Sequence, residues 1–170
     1  MTVGELAGYI CEHLRQHDID VVLTGGSCVS IYSKGKYVSK DLDFIERRFA
    51  SSGQIRDAMA EIGFIPEHRH FTHPDTGYLV EFPSGPLSVG KEPVGHIHEI
   101  PFSTGLLRIL SPTDCVKDRL AAYYHWKDLQ SLEQAALVAQ SHDVDLKEIK
   151  RWSAAEGMAA DFERIAGRLK

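Results

Sequence analysis

The sequence predicts an α+β fold: a mixed sheet with flanking helices over residues 1–110, followed by a C-terminal helical region, residues 111–170, packed on that core. Three observations lead there. Short apolar runs alternate with stretches of helical periodicity through the first part of the chain. Six of the seven prolines precede residue 102, and the seventh, Pro112, opens a helical pattern that continues to Lys170. Between the first two apolar runs stands Gly25-Gly26-Ser27, a turn-and-helix signal inside a sheet-forming segment.

Val3, Leu6, Ile10 and Leu14 recur at helical spacing and predict an amphipathic helix over residues 3–17. Residues 19–23 form a short apolar run entering the glycine pair, the profile of a buried strand that ends in a tight turn. Residues 27–33 read as a short helix closed by Gly35, and residues 40–46 as a second strand. Ile55, Met59 and Ile62 mark a helix over 52–62, ended by Gly63. Residues 64–71 and 77–82 resemble two strands joined by the turn His73-Pro74-Asp75-Thr76-Gly77. Residues 83–93, rich in Gly and Pro, read as a loop, and 97–100 and 106–110 as further strands. Ser111 is placed to cap a helix, with Pro112 at its first position and Asp114 in its first turn. Breaks near residues 141–143 and at Gly157 divide the remainder into two to four helices.

Hydrophobic residues make up 43% of the 170 positions and charged residues 25%, an ordinary globular composition. The net charge of −5 gives no overall basic footprint, so nucleic acid would have to be met by a local patch. Cys11, Cys28 and Cys115 are odd in number and far apart, which suggests reduced, buried thiols in a cytoplasmic protein. Glu5 and Glu12 interrupt the N-terminal apolar residues, arguing against a signal peptide. No apolar run approaches the roughly 20 residues of a membrane span, so no membrane partner is expected.

Thirteen residues separate Ser27 from Asp41-Leu42-Asp43-Phe44. Residues two apart on a strand share a face, separated by about 6.6 Å of rise. Asp41 and Asp43 therefore project together while Leu42 and Phe44 face the core. Adjacent carboxylates repel unless a cation lies between them. Magnesium suits such a pair, because it takes hard oxygen ligands and shares its shell with phosphates. Glu81, an acid inside the apolar run Tyr78-Leu79-Val80-Glu81-Phe82, is the expected third carboxylate, with Glu92 and Glu99 as alternatives. Gly25 and Gly26 admit a ligand close to the backbone, and the following helix N-terminus favours phosphate.

In this order and spacing the residues resemble the nucleotidyltransferase superfamily, whose fold is that of the DNA polymerase β palm. The resemblance covers roughly residues 1–110. It implies transfer of a nucleoside monophosphate from an NTP to an acceptor hydroxyl on RNA such as tRNA, on protein or on a small molecule. Two Mg2+ (or Mn2+) ions would be held by Asp41, Asp43 and Glu81. Gly25, Gly26 and Ser27 would hold the phosphates. Relatives often carry Arg two residues before Ser39; this chain has Tyr37 there, with Lys36 or Lys40 as substitute cation. Ser39-Lys40-Asp41-Leu42-Asp43-Phe44 looks most similar to abortive-infection type toxin nucleotidyltransferases, whose helical tail has a related Lys…Lys/Arg-Asp pattern. By that resemblance Lys117 reaches the triphosphate, Lys127 and Asp128 complete the pattern, and a cognate antitoxin is a partner. The alternative function is a catalytically silent nucleotide-binding protein on the same fold.

Two other groups stand out. His68-Arg69-His70 and His96-Ile97-His98 each place two imidazoles on one predicted strand face, and with His73 suggest a zinc-type site. Tyr123, Tyr124, His125 and Trp126 lie together on a predicted helix, where they are expected to pack the tail against the sheet.

Overall fold

In the computed structural model, which describes residues 1–170, the chain begins with helix α1 (Val3–Gln16). Its start is fixed by a reciprocal cap: the Glu5 N–H donates to Thr2 Oγ1 (3.2 Å) and the Thr2 N–H to the Glu5 carboxylate (2.8 Å). Leu6, Ile10 and Leu14 bury one face. Strand β1 (Val21–Thr24) then passes without a loop into α2 (Gly25–Tyr32), two residues earlier than the sequence suggests. β2 (Asp41–Glu46) and α3 (Ser52–Glu61) follow, the latter capped by Ser51 and Gln54 in the same reciprocal way.

Three strands come next: β3 (Ile65–Glu67), β4 (His70–His73) and β5 (Thr76–Glu81). The single strand expected over 64–71 is thus a hairpin. The chain reverses at His68, which adopts a left-handed conformation (φ 57°), so the turn contains neither Gly nor Pro to announce it. Residues 83–93 are likewise more than a loop, since β6 (Ser88–Val89) pairs with β7 (Glu92–Pro93). A final hairpin, β8 (Ile97–Phe102) and β9 (Gly105–Leu110), completes the sheet region.

Seven strands form one mixed sheet in the order β3-β4-β5-β2-β1-β9-β8. β2 runs antiparallel to β1 and parallel to β5, while β9 lies parallel to β1 on the other side. β2 is near the middle and alternates cleanly: Leu42 and Phe44 are fully buried while Asp41 and Asp43 face away from that core.

Ser111 caps α4 (Pro112–Trp126) by accepting from the Asp114 N–H (3.1 Å). Lys127 then takes a left-handed conformation, and Asp128 caps α5 (Leu129–Ser141). Helices α6 (Leu146–Ala155) and α7 (Ala159–Ile165) and a 3-10 turn (Ala166–Leu169) end the chain. One hydrophobic cluster extends from Leu6 to Leu169 through both the sheet region and the helices. Polar links reinforce the contact. His142 Nε2 lies 2.9 Å from the Tyr32 carbonyl, and the Trp152 indole donates to the Val89 carbonyl (3.1 Å). The buried Asp20 carboxylate gathers Arg108 (2.6 Å) and Arg47 (3.4 Å), a placement that only such pairing makes tolerable. No helix is long and apolar enough to cross a membrane.

Trp152 is fully buried and joins α6 to the β6–β7 hairpin. Trp152→Ala is expected to destabilise the protein by about 3–5 kcal/mol. Because the core is continuous, denaturant unfolding followed by near- and far-UV circular dichroism should remain a single coincident transition at a lower midpoint.

Candidate active site

The pairing registers of four adjacent strands place Thr24, Asp43, Glu81 and His70 in one row across the sheet. Asp43 is opposite Thr24 of β1 on one side and Glu81 of β5 on the other; Glu81 is in turn opposite His70 of β4. Neighbouring strands are about 4.8 Å apart, so such a row brings its side chains together. Asp41, two residues before Asp43, lies on the same face. The three acids expected from the sequence therefore share one open face, while Glu92 pairs with Arg151 and Glu99 sits near Arg108 on the edge strand β8.

The turn from β1 into α2 fits closely against this row. Gly25 has φ 71°, and a Cβ on it would lie 2.7 Å from Asp43 Oδ2. Only glycine meets both conditions. A Cβ at Gly26 would press on Ser39 (3.2 Å) and Tyr37 (3.4 Å). The first turn of α2 thus stands beside Asp43, with free N–H groups of the kind that bind anions. Ser27 differs from expectation. Its side chain is fully buried and its hydroxyl donates to the Asp41 carbonyl, so it anchors β2 to α2 instead of facing a ligand. Ser39 brackets the same residue, accepting from the Asp41 N–H (3.2 Å).

Burial pushes the Asp43 carboxyl up to about 6, and the neighbouring Glu81 and Asp41 charges add to the rise. Arg119 on α4 opposes it. This basic side chain went unnoticed in the sequence. It is largely enclosed, donating to Asp118 (2.7 Å) and Gln134 (3.2 Å), and it also lowers the Asp128 carboxyl, which Ser131 holds down most strongly. The available signal was a second cation two residues after Lys117 on a helix with an otherwise apolar inner face.

Other expected residues sit differently. Glu81 is not buried: its side chain is 37% exposed, and Oε1 lies 3.3 Å from His70 Nδ1. Lys40 is exposed, with its ammonium 5.0 Å from the centre of the Tyr78 ring. Lys117 is buried and held by Glu148 (2.9 Å) and Asp114 (3.7 Å), so reaching a phosphate requires leaving that pair. Lys127 lies 3.3 Å from Asp161. His68 belongs to the β3–β4 turn, and the His96 and His98 rings meet only each other (5.3 Å), so neither predicted pair assembles three metal ligands. Tyr124 is buried, but it packs against Trp152 of α6 within the helical region and not on the sheet, and Trp126 is 82% exposed.

Chemically, the face offers hard oxygen donors on Asp41, Asp43 and Glu81 beside the N-terminus of α2. The raised Asp43 carboxyl reflects crowding of negative charge that a divalent cation would relieve, so the donor set fits magnesium or manganese.

No protein-family model matches the sequence, and no curated protein matches it. The three-dimensional arrangement does have counterparts. The solution structure of the antibiotic-resistance factor ANT(2'')-Ia, an aminoglycoside nucleotidyltransferase, aligns over 98% of this chain and 94% of its own, with TM-score 0.58 and 14% identity. The crystal structure of ANT(2'')-Ia in complex with adenylyl-2''-tobramycin aligns over 91% and 95%, with TM-score 0.59 and 14% identity. The fold is that of a nucleotidyltransferase. The nucleotidyltransferase-like arrangement extends over the C-terminal helices as well as the sheet, since the first alignment spans nearly the whole of both chains.

Two outcomes test the geometry. In chelator-treated protein the Asp43 carboxyl binds its proton more tightly folded than unfolded. The associated stability is fully present below the ordinary carboxylate range and is lost as pH rises through about 6. Asp43→Asn should remove that decline, as measured by urea unfolding between about pH 4 and 7. Gly25→Ala should cost at least about 1–2 kcal/mol from its left-handed backbone alone, and displace Asp43 as well. Thermal unfolding checks the first effect, and magnesium affinity by calorimetry the second.

Proposed function

We propose that this protein is a metal-dependent nucleotidyltransferase that moves a nucleoside monophosphate from an NTP to an acceptor hydroxyl. The observation that carries the reading is the row Asp43–Glu81–His70, with Asp41 on the same face and the α2 N-terminus beside it. The fold supports it, since the solved neighbours are nucleotidyltransferase structures.

Asp41 and Asp43 would hold the metal and Glu81 would complete a second metal position. When bound, the metal supplies positive charge against the triphosphate. The Gly25–Gly26 backbone would receive phosphate oxygens. Glu81, oriented by His70, would accept the proton of the acceptor hydroxyl as its oxygen bonds to the α-phosphorus. The bond between the α-phosphorus and the bridging oxygen breaks, and pyrophosphate leaves. Positioning and charge neutralisation carry most of the rate in such a site. Arg119 would moderate the negative charge of the acid row.

The neighbour's complex contains adenylylated tobramycin, which supports a small-molecule hydroxyl as acceptor. A toxin-type role would instead use tRNA or protein. Its pattern of Lys117, Lys127 and Asp128 is present, but both lysines are engaged in ion pairs, which weighs against that reading. A catalytically silent nucleotide-binding protein is disfavoured by the three acids sharing one face.

Labelled ATP, GTP, CTP and UTP, with magnesium, should be offered together with tobramycin, tRNA and cell extract. Transfer of label to one acceptor class is expected, with Asp43→Asn and Glu81→Gln each reducing it by at least about 100-fold while the circular dichroism spectrum is unchanged. NTP binding without transfer to any acceptor supports the silent protein; transfer at the wild-type rate by Asp43→Asn rules out the mechanism.

A further inference from the structure

Away from the acid row, three potential metal ligands converge where α1 and α3 end. His13 lies in the last turn of α1 and His17 caps the C-terminus of that helix, and their rings meet edge to face with centres 4.8 Å apart. Glu61 is the last residue of α3. His17 Nε2 lies 2.8 Å from Glu61 Oε2, and His13 Nε2 lies 3.6 Å from the same oxygen. One ligand atom from each residue lies within 4.8 Å of the other two.

We propose that His13, His17 and Glu61 bind a zinc-class divalent cation that fastens α1 to α3. Two imidazoles four residues apart at the end of a helix plus one carboxylate are a borderline-soft donor set suited to zinc rather than magnesium. Bonds of about 2.0–2.1 Å in a tetrahedral shell separate ligand atoms by about 3.3 Å; the two separations to Glu61 bracket that value, and the pair of imidazole nitrogens lies within 4.8 Å, so a modest closing of the rings completes the shell. His17 and Glu61 are 37% and 55% exposed, which leaves a fourth position open to water. Both helices present their C-terminal ends here, and the negative end of the helix dipole favours a cation. All three cysteines are buried, so no accessible thiolate competes.

Without metal, the His13 ring donates from Nε2 to the Ala58 carbonyl in the last turn of α3 (2.8 Å), and His17 donates to Glu61. On loading, each ring carries its proton at Nδ1 and exchanges the Nε2 hydrogen bond for a metal bond. The site uses none of the residues of the acid row, so it stands or falls independently of the proposed transfer reaction.

Tag-free, chelator-treated protein should be titrated with zinc against a chromophoric competitor, with cobalt(II) absorption reporting ligation. One equivalent is expected to bind stoichiometrically at about 10 μM protein and to raise Tm. The His17→Gln/Glu61→Gln protein should lose that equivalent and the Tm rise. Asp41→Asn/Asp43→Asn and His96→Gln/His98→Gln proteins should each keep both. The proposal is overturned by wild type that binds no stoichiometric zinc, by an unchanged equivalent in the His17/Glu61 variant, or by a zinc site that disappears with Asp41 and Asp43.

Discussion

The close approach of Asp43 to Gly25, where a Cβ would lie 2.7 Å from the carboxylate, constrains the rest of the site. Because β1 passes directly into α2, the start of the helix stands level with the acids instead of being held off by a loop. The antiparallel pairing of β1 with β2 then fixes Asp43 beside Thr24, and the parallel pairing of β2 with β5 fixes Glu81 beside Asp43. A one-residue slip in either pairing would turn Asp43 or Glu81 to the opposite face. Buried Leu42 and Phe44 oppose such a slip by occupying the other side of the same strand. Packing in the core thereby determines where the charges lie.

That placement is electrostatically unfavourable by itself. Three acids share a face, and the enclosed Arg119 offsets only part of their repulsion. Arg119 comes from α4, so the helical region contributes to the charge balance of the sheet as well as to its packing. Lys117, two residues earlier on the same helix, points its charge elsewhere, into the pair with Glu148 on α6. Adjacent cations on one helix therefore have separate duties: one moderates the acid row and the other ties α4 to α6.

Much of this was legible in the sequence because it depends on local rules. Alternation around Asp41-Leu42-Asp43-Phe44 gave the facing of β2, and Ser111-Pro112 gave the start of α4. What was missed depends on conformations or partners that no local rule exposes. The left-handed turns at His68 and Lys127 occur at residues without a strong turn signature, so a hairpin was read as a strand and a helix break was overlooked. Ser27 and Lys117 were assigned by motif to a ligand, but the folded chain supplies internal partners for both. Glu81 was singled out as an isolated buried acid, whereas it is 37% exposed and stands beside His70. His13, His17 and Glu61 come together across 44 to 48 positions of sequence, a proximity that only the packing of α1 on α3 creates.

The chain's two tryptophans occupy opposite environments. Trp152 is sealed in the core, stacked near Tyr124 and bonded to the backbone of the β6–β7 hairpin, while Trp126 projects into solvent at the end of α4. Their emissions are therefore separable without any label: a soluble quencher such as iodide reaches Trp126 and leaves Trp152 dark to it. The protein carries one optical reporter for its surface near the α4–α5 junction and another for the seam between its helices and the hairpin after β5.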